Sequence, residues 1–269
     1  MKKLLILGAS GLVGKAIAAQ CMDTFDVYGT YFSTATNLPE NKQFQLNVEL
    51  EETNIVEILD VVQPDITVSC LRGDFQNQLA FHSKLAKELQ KRASILYYFS
   101  TTNVFDGDLS RHHDEADTPI SNSDYGKFKI NCEKIVIEHL AERGNIIRIP
   151  GIWGKNSRRL NELRKSEQIS VYNNLECDFL LDTQLASQMQ FIMKNELSGI
   201  FHLAAVDMIT QGLFYKELSN KLTVEGENIQ YNLLEDKGDI YYFGLLSNRE
   251  DVPNSLKSTN EEIISMLVD

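Results

Sequence analysis

The chain has 269 residues, 43% of them apolar, with 15 glycines and 5 prolines, which fits a compact globular protein and excludes a disordered or collagen-like one. Its formal charge of -12, from 38 acidic and 26 basic side chains, repels phosphate backbones, so no nucleic-acid partner is expected. Four scattered cysteines have neither C-x-x-C nor Cys/His spacing and suggest no metal site. The apolar run at 4–7 is too short for a signal peptide and no window approaches ~20 apolar residues, so no membrane partner and a cytoplasmic location are expected.

In chain order, residues 4–7 form a short apolar run that meets a glycine-rich turn, and from 12 to 22 the apolar positions take helical spacing. Residues 26–32 and 43–48 read as the second and third strands, with the polar cluster 33–37 as a loop. A helix is expected over 51–62, stopped by Pro64, then a strand at 66–70, a helix at 75–91 and a strand at 94–100. A helix at 125–143 and a strand at 145–149 complete the series. Strands alternating with helices imply right-handed crossovers and a parallel sheet covered on both faces.

The expected fold is therefore α/β, a Rossmann-type doubly wound parallel sheet with a small C-terminal substrate-binding lobe. Residues 1–154 make the dinucleotide-binding domain and 155–269 the lobe and tail, with about 182–210 rejoining the first. Within the second part, 155–168 reads as polar loop, 169–172 and 200–203 as strands, 182–194 and 211–222 as helices. Residues 247–258 read as loop before a short last helix.

Gly8-Ala9-Ser10-Gly11-Leu12-Val13-Gly14 lies at the first strand-to-helix junction. Unpaired backbone N–H groups and the positive end of a helix dipole meet there, which suits a phosphate. Gly8 permits the tight turn, Gly11 close approach of a pyrophosphate, and Gly14 packing of the helix on the sheet. At the end of the second strand an acid would select NAD and a cation NADP. Tyr31 stands there instead, with Lys15 and Lys42 as the nearest cations, so NADP(H) is favoured over NAD(H).

Tyr125 and Lys129 are four apart at the start of a helix and share a face. A phenol of ordinary pKa ~10 becomes a useful acid near neutrality when a cation favours its charged form. Upstream, Ser100-Thr101-Thr102-Asn103-Val104-Phe105-Asp106-Gly107 follows a strand and brings hydroxyls to its carboxyl end. His112-His113-Asp114-Glu115 reads as a solvated loop and Phe179 as core.

With these blocks, Gly29-Thr30-Tyr31-Phe32-Ser33, Glu133, Arg148-Ile149-Pro150 and 199–204 in the same order, the chain resembles the dTDP-4-dehydrorhamnose reductase branch of the extended short-chain dehydrogenase/reductase superfamily. The resemblance implies an NAD(P)H-dependent reductase of a sugar nucleotide or related carbonyl compound. In it Thr101, Tyr125 and Lys129 form the catalytic unit. It implies that Val48 lies near the adenine, that Ser69, Cys70 and Leu71 line the cofactor cleft, that Pro150 borders the nicotinamide, and that a homodimer is allowed. Asn103, Val104 and Trp153 are the candidate substrate contacts, with Trp153 either lining the substrate cleft or filling the interdomain core.

The chain departs from that branch after the fourth strand, where Ser69-Cys70-Leu71-Arg72-Gly73-Asp74 replaces Asn-Ala-Ala. Thr102-Asn103 stand where the related dehydratases carry Asp-Glu, which argues against dehydration. Ser-x-x-Val-Phe-Asp-Gly and Arg-Ile-Pro are also similar to the methionine adenosyltransferase regulatory subunit, so a non-catalytic NADP-binding regulator is one alternative. A sugar-nucleotide epimerase with the same three residues is another.

Overall fold

The computed structural model describes residues 1–50, 54–165, 167–222, 228–236 and 238–268. The first part alternates as β1 (Lys3–Leu7), α1 (Leu12–Cys21), β2 (Asp26–Tyr31), β3 (Gln43–Gln45), α2 (Ile55–Val62), β4 (Ile66–Ser69), α3 (Phe75–Arg92), β5 (Ile95–Thr101), α4 (Asp124–Leu140) and β6 (Gly144–Ile149). There follow β7 (Gly151–Trp153), α5 (Arg158–Arg164), β8 (Ile169–Tyr172), β9 (Leu175–Cys177), β10 (Phe179–Leu181), α6 (Asp182–Lys194) and β11 (Ile200–His202). The chain ends with β12 (Ile209–Thr210), α7 (Gln211–Leu222), β13 (Ile229–Asn232), β14 (Tyr241–Phe243) and α8 (Asn260–Val268).

Seven strands form one parallel sheet in the order β11-β6-β5-β4-β1-β2-β3. The chain starts in the middle, winds out to β3 and returns past β1 to β4, the doubly wound order of Rossmann-like folds. Alternate residues of one strand feed opposite faces, as the pleat requires. Leu4 and Ile6 pack with Ile17 and Cys21 of α1 and Leu185 and Met189 of α6. Leu5 and Leu7 pack with Ile58 and Leu59 of α2, Leu85 of α3 and Cys132 and Val136 of α4. Both faces are dry, which is why these strands are continuously apolar.

A second core joins Trp153 of β7, Leu160 and Leu163 of α5, Phe179 of β10, Phe214 and Leu218 of α7, and Ile263 and Leu267 of α8. Residues 155–168, expected to be loop, therefore contain α5. Ser157 caps it by accepting from the Leu160 N–H at 3.3 Å, and Leu160 and Leu163, three apart, turn one face inward. Two apolar residues among many polar ones were too few to signal a helix. The helix expected from Glu51 has its first residues, 51–53, outside the described residues, and α2 begins at Ile55. Among the described residues no helix is long and apolar enough to cross a membrane.

Candidate active site

The ligand crevice of a doubly wound sheet opens at the carboxyl ends of the strands where the winding reverses, here between β1 and β4. Gly8 leaves β1 at φ +83°, and a Cβ there would lie 3.2 Å from the Cys70 carbonyl oxygen. The turn is fixed by the Gly8 N–H on Thr30 Oγ1 at 3.0 Å and the Ala9 N–H on the Thr30 carbonyl at 2.8 Å. Gly14 packs so tightly that a Cβ would meet the Gly8 carbonyl oxygen at 2.3 Å. Gly11 stands at the helix N-cap with no side chain over the first turn, and that turn carries no acid. The free N–H groups of residues beginning α1 thus face an open, uncapped end, which fits a pyrophosphate.

Across the sheet, Thr101 is the last residue of β5 and Tyr125 the second of α4. They approach because α4 begins tightly against the turn 102–105: a Cβ on Gly126 would lie 2.2 Å from the Asn103 carbonyl oxygen. Asp106 ties that turn to the helix start, accepting from Ser121 Oγ at 2.7 Å and the Asn122 N–H at 2.6 Å. Ser123 caps α4 through the Gly126 N–H at 3.0 Å. Thr101 and Tyr125 thus stand beside each other, close enough for the Thr101 side chain to bear on the Tyr125 hydroxyl. The Thr101 hydroxyl also donates to Asn103 Oδ1 at 3.1 Å and accepts from the Asn103 N–H at 3.3 Å.

Tyr125 keeps 36% of its surface exposed, so it stands at the edge of the cleft. Burial raises its pKa, and the nearby Thr101 side chain and the charge of Arg72 oppose that rise. Lys129 is buried below it, donating to the Phe99 carbonyl at 2.9 Å, with its Nζ 6.0 Å from the Tyr125 ring centre and 4.8 Å from that of Tyr98. Burial pushes its pKa down to about 8, against the pull of Cys132 and Glu133 and with that of Arg72. It still holds its proton at neutral pH.

One turn further along α4, Glu133 accepts from Arg148 Nε at 3.1 Å and Nη2 at 2.8 Å, and from the Ser100 hydroxyl. Arg148 Nη1 reaches His202 Nε2 at 3.2 Å, and His202 Nδ1 meets the Leu246 carbonyl at 2.8 Å. This buried chain links the sheet below the site to the C-terminal segment that crosses above.

Several anticipated residues take other places. Val104 is fully buried with Phe105, Ala204 and Leu245, and Trp153 has no exposed surface in the second core, against Phe214 and Tyr215. Neither side chain is available to a substrate as the protein stands, because each fills space between segments brought in from far along the chain. Asn103 is occupied in holding Thr101. Ser69 turns its hydroxyl to His82 Nε2 at 2.8 Å. His82 Nδ1 lies 2.7 Å from the Gln78 carbonyl, so Nδ1 carries the proton and Nε2 accepts from Ser69. Burial lowers the His82 pKa to about 3. Cys70 and Leu71 remain beside the glycine turn, and Tyr31, Val48 and Pro150 are half-buried.

Of the two cations considered for a 2′-phosphate, Lys42 is held by Asp26 at 2.5 Å and lies over Tyr28. Lys15 is the exposed one. The pair His112-His113 is also no solvated loop. His113 stacks on Phe105 at 4.4 Å, and His112 accepts from the Gly244 N–H at 3.0 Å while facing Glu176 at 2.8 Å. Arg72, His82 and Asp106 were not singled out in the sequence. For Arg72 the available signal was its place in the segment that departs from the resembled branch.

The chain is similar to several known proteins. A stretch of methionine adenosyltransferase 2 subunit beta from Pongo abelii is 29% identical over 183 residues, 63% of this chain and 51% of that one. The match thus spans about half the length of that curated relative. The solved dTDP-4-dehydrorhamnose reductase of Bacillus anthracis, in complex with NADP, superposes with a TM-score of 0.77 at 19% identity, over 99% of this chain and 98% of that one. The dTDP-glucose 4,6-dehydratase of the same organism, in complex with NAD, gives a TM-score of 0.81 at 14% identity, over 100% and 96%. Below that identity the likeness speaks for the fold alone, but the profile of the RmlD substrate binding domain matches residues 1–232, and the chain belongs to that family.

Proposed function

We propose that this protein is an NAD(P)H-dependent reductase of a sugar nucleotide or a related carbonyl compound, with Tyr125 as proton donor. The observation that carries the reading is the juxtaposition of Thr101, at the end of β5, and Tyr125, at the start of α4, over the buried Lys129 ammonium, 6.0 Å from the Tyr125 ring centre, on a sheet that also carries an uncapped glycine turn. Membership of a family whose solved relatives include sugar-nucleotide reductases supports it.

The N–H groups from Leu12 to Gly14, with Ser10 and the bare backbone of Gly11, would hold the pyrophosphate, and Cys70, Leu71, Tyr31, Val48 and Pro150 would line the rest of the cofactor. Its nicotinamide supplies the hydride that reduces the carbonyl carbon. Thr101 and Tyr125 would hold the carbonyl oxygen between their hydroxyls, and Tyr125 would deliver the proton that makes it an alcohol. The nearby positive charges of Lys129 and Arg72 stabilise the phenolate left behind. NADP(H) is favoured over NAD(H) because no acid stands at the end of β2 and Lys15 is exposed at the start of α1.

The test is oxidation of NADPH and NADH by the purified chain with 4-keto sugar nucleotides. Tyr125→Phe should lower turnover by about a hundredfold or more while leaving cofactor binding in place. A rate unchanged in that variant refutes the role of Tyr125. The 29% identity to a methionine adenosyltransferase subunit favours a second reading, a cofactor-binding regulator. Tight NADPH binding with no turnover across the substrates would support it.

A further inference from the structure

The loop joining β4 to α3 is short and held at every residue but one. Gly73, at φ +142°, offers its carbonyl to Gln78 Nε2 at 2.9 Å, and Asp74 caps α3 by accepting from the Asn77 N–H at 3.0 Å. Phe75 stacks on Phe128 at 4.9 Å and lies 5.7 Å from the Tyr125 ring. Leu71 packs beside the glycine turn, 3.6 Å from where a Gly8 Cβ would stand. Between these anchors Arg72 projects exposed, and its charge reaches both Tyr125 and Lys129.

In this acidic chain most arginines near acids are committed. Arg92 holds Asp60 and Glu88, Arg111 holds Asp117, Arg148 holds Glu133, Arg158 holds Glu162 and Arg249 holds Asp251. Among the described residues Arg72 has no hydrogen bond or ion pair. Two cations beside one phenol, one buried and one open to the cleft, leave an uncompensated positive charge at the reacting end. A planar guanidinium with parallel N–H donors is shaped to grip a carboxylate or a phosphate, and the pyrophosphate site lies at the glycine turn, at the other end of the cofactor.

We propose that Arg72 is a specificity-determining residue that binds a carboxylate on the sugar of the substrate, so that the protein prefers acidic sugar nucleotides to neutral ones. This rests on the carbonyl-reductase reading for the identity of the pocket, and deepens it by naming the substrate class. The carboxylate would sit within reach of Tyr125, and hence on a carbon close to the reacting carbonyl.

The test measures binding as well as turnover. Calorimetric titration of the NADPH-loaded protein with UDP-glucuronate and UDP-glucose compares two unreactive probes that differ in a carboxylate. The acidic probe should bind about ten- to a hundredfold tighter. In Arg72→Gln the two should bind alike, and Arg72→Lys, which keeps charge without the fork, should retain part of the difference. Equal affinities in the unaltered protein, binding of neither probe, or a preference that survives Arg72→Gln each overturn the proposal. Reduction of neutral ketones without a preference for the acidic probe would leave the reductase reading standing and remove the role of Arg72. A preference for the acidic probe without any turnover would do the reverse.

Discussion

The two sides of the cleft are built from different materials. On the glycine-turn side the chemistry belongs to the main chain: N–H groups at the start of α1, a carbonyl packed under Gly14, and a strand order that opens a crevice between β1 and β4. On the other side it belongs to side chains from distant segments. His112 meets Gly244 and Glu176, Leu245 donates to Asp178, and Arg148 meets His202. A main-chain site needs a few glycines at fixed spacing and tolerates change elsewhere. A side-chain site can be rebuilt one residue at a time, and it is here that the chain leaves the resembled reductases, as at Arg72.

The contrast can be broken at its seam. Glu133 and Arg148 are both almost wholly buried, with side-chain exposures of 5% and 2%, and Glu133→Gln would leave the arginine without its counter-charge. The expected cost is about 3–5 kcal/mol, read as a fall in the urea midpoint. A loss under about 1 kcal/mol would mean that the pair does not join the two sides. Gly14→Ala tests the main-chain side, since its methyl would collide with the backbone of Gly8 and Ala9 at 2.3 and 2.8 Å. Overpacking of that kind costs about 1–3 kcal/mol. It should also weaken NADPH binding, followed by nicotinamide fluorescence, whereas unchanged affinity would show that the turn does not need its shape.

The same contrast explains what the sequence disclosed. The strand alternation and the glycine spacing are local, so the parallel sheet and the turn could be read from neighbouring residues. Thr101 and Tyr125 were legible because one ends a strand and the other begins a helix. The inward turn of Ser69 was not, since its partner His82 lies 13 residues later on α3. Val104 looked like a cleft residue, and Trp153 stayed open between cleft and core, because nothing nearby in sequence covers them. Their covers are Ala204 and Leu245 for the first and Phe214 and Tyr215 for the second. Hydrophobic spacing likewise missed α5, whose inward face is two leucines long.

A test by pH concerns Asp178, which joins β9 to β10 and is bonded to the C-terminal segment. Its Oδ2 accepts from the Leu245 N–H at 2.8 Å, Oδ1 has no partner among the described residues, and burial raises its pKa to about 8, with Asp207 adding to the rise. The folded protein therefore keeps a proton there that the unfolded chain gives up near the ordinary carboxyl pKa of about 3.9. More protons on the folded state mean that stability falls as pH rises between those two values, by at most about 1.4 kcal/mol per pH unit. Asp178→Asn keeps an acceptor for Leu245 and cannot ionise, so it should flatten the decline in urea midpoint between pH 5 and pH 8, pH values chosen to lie inside that window. A slope identical in both proteins would mean that Asp178 ionises freely in the fold, and that the segment above it is looser than its hydrogen bonds imply.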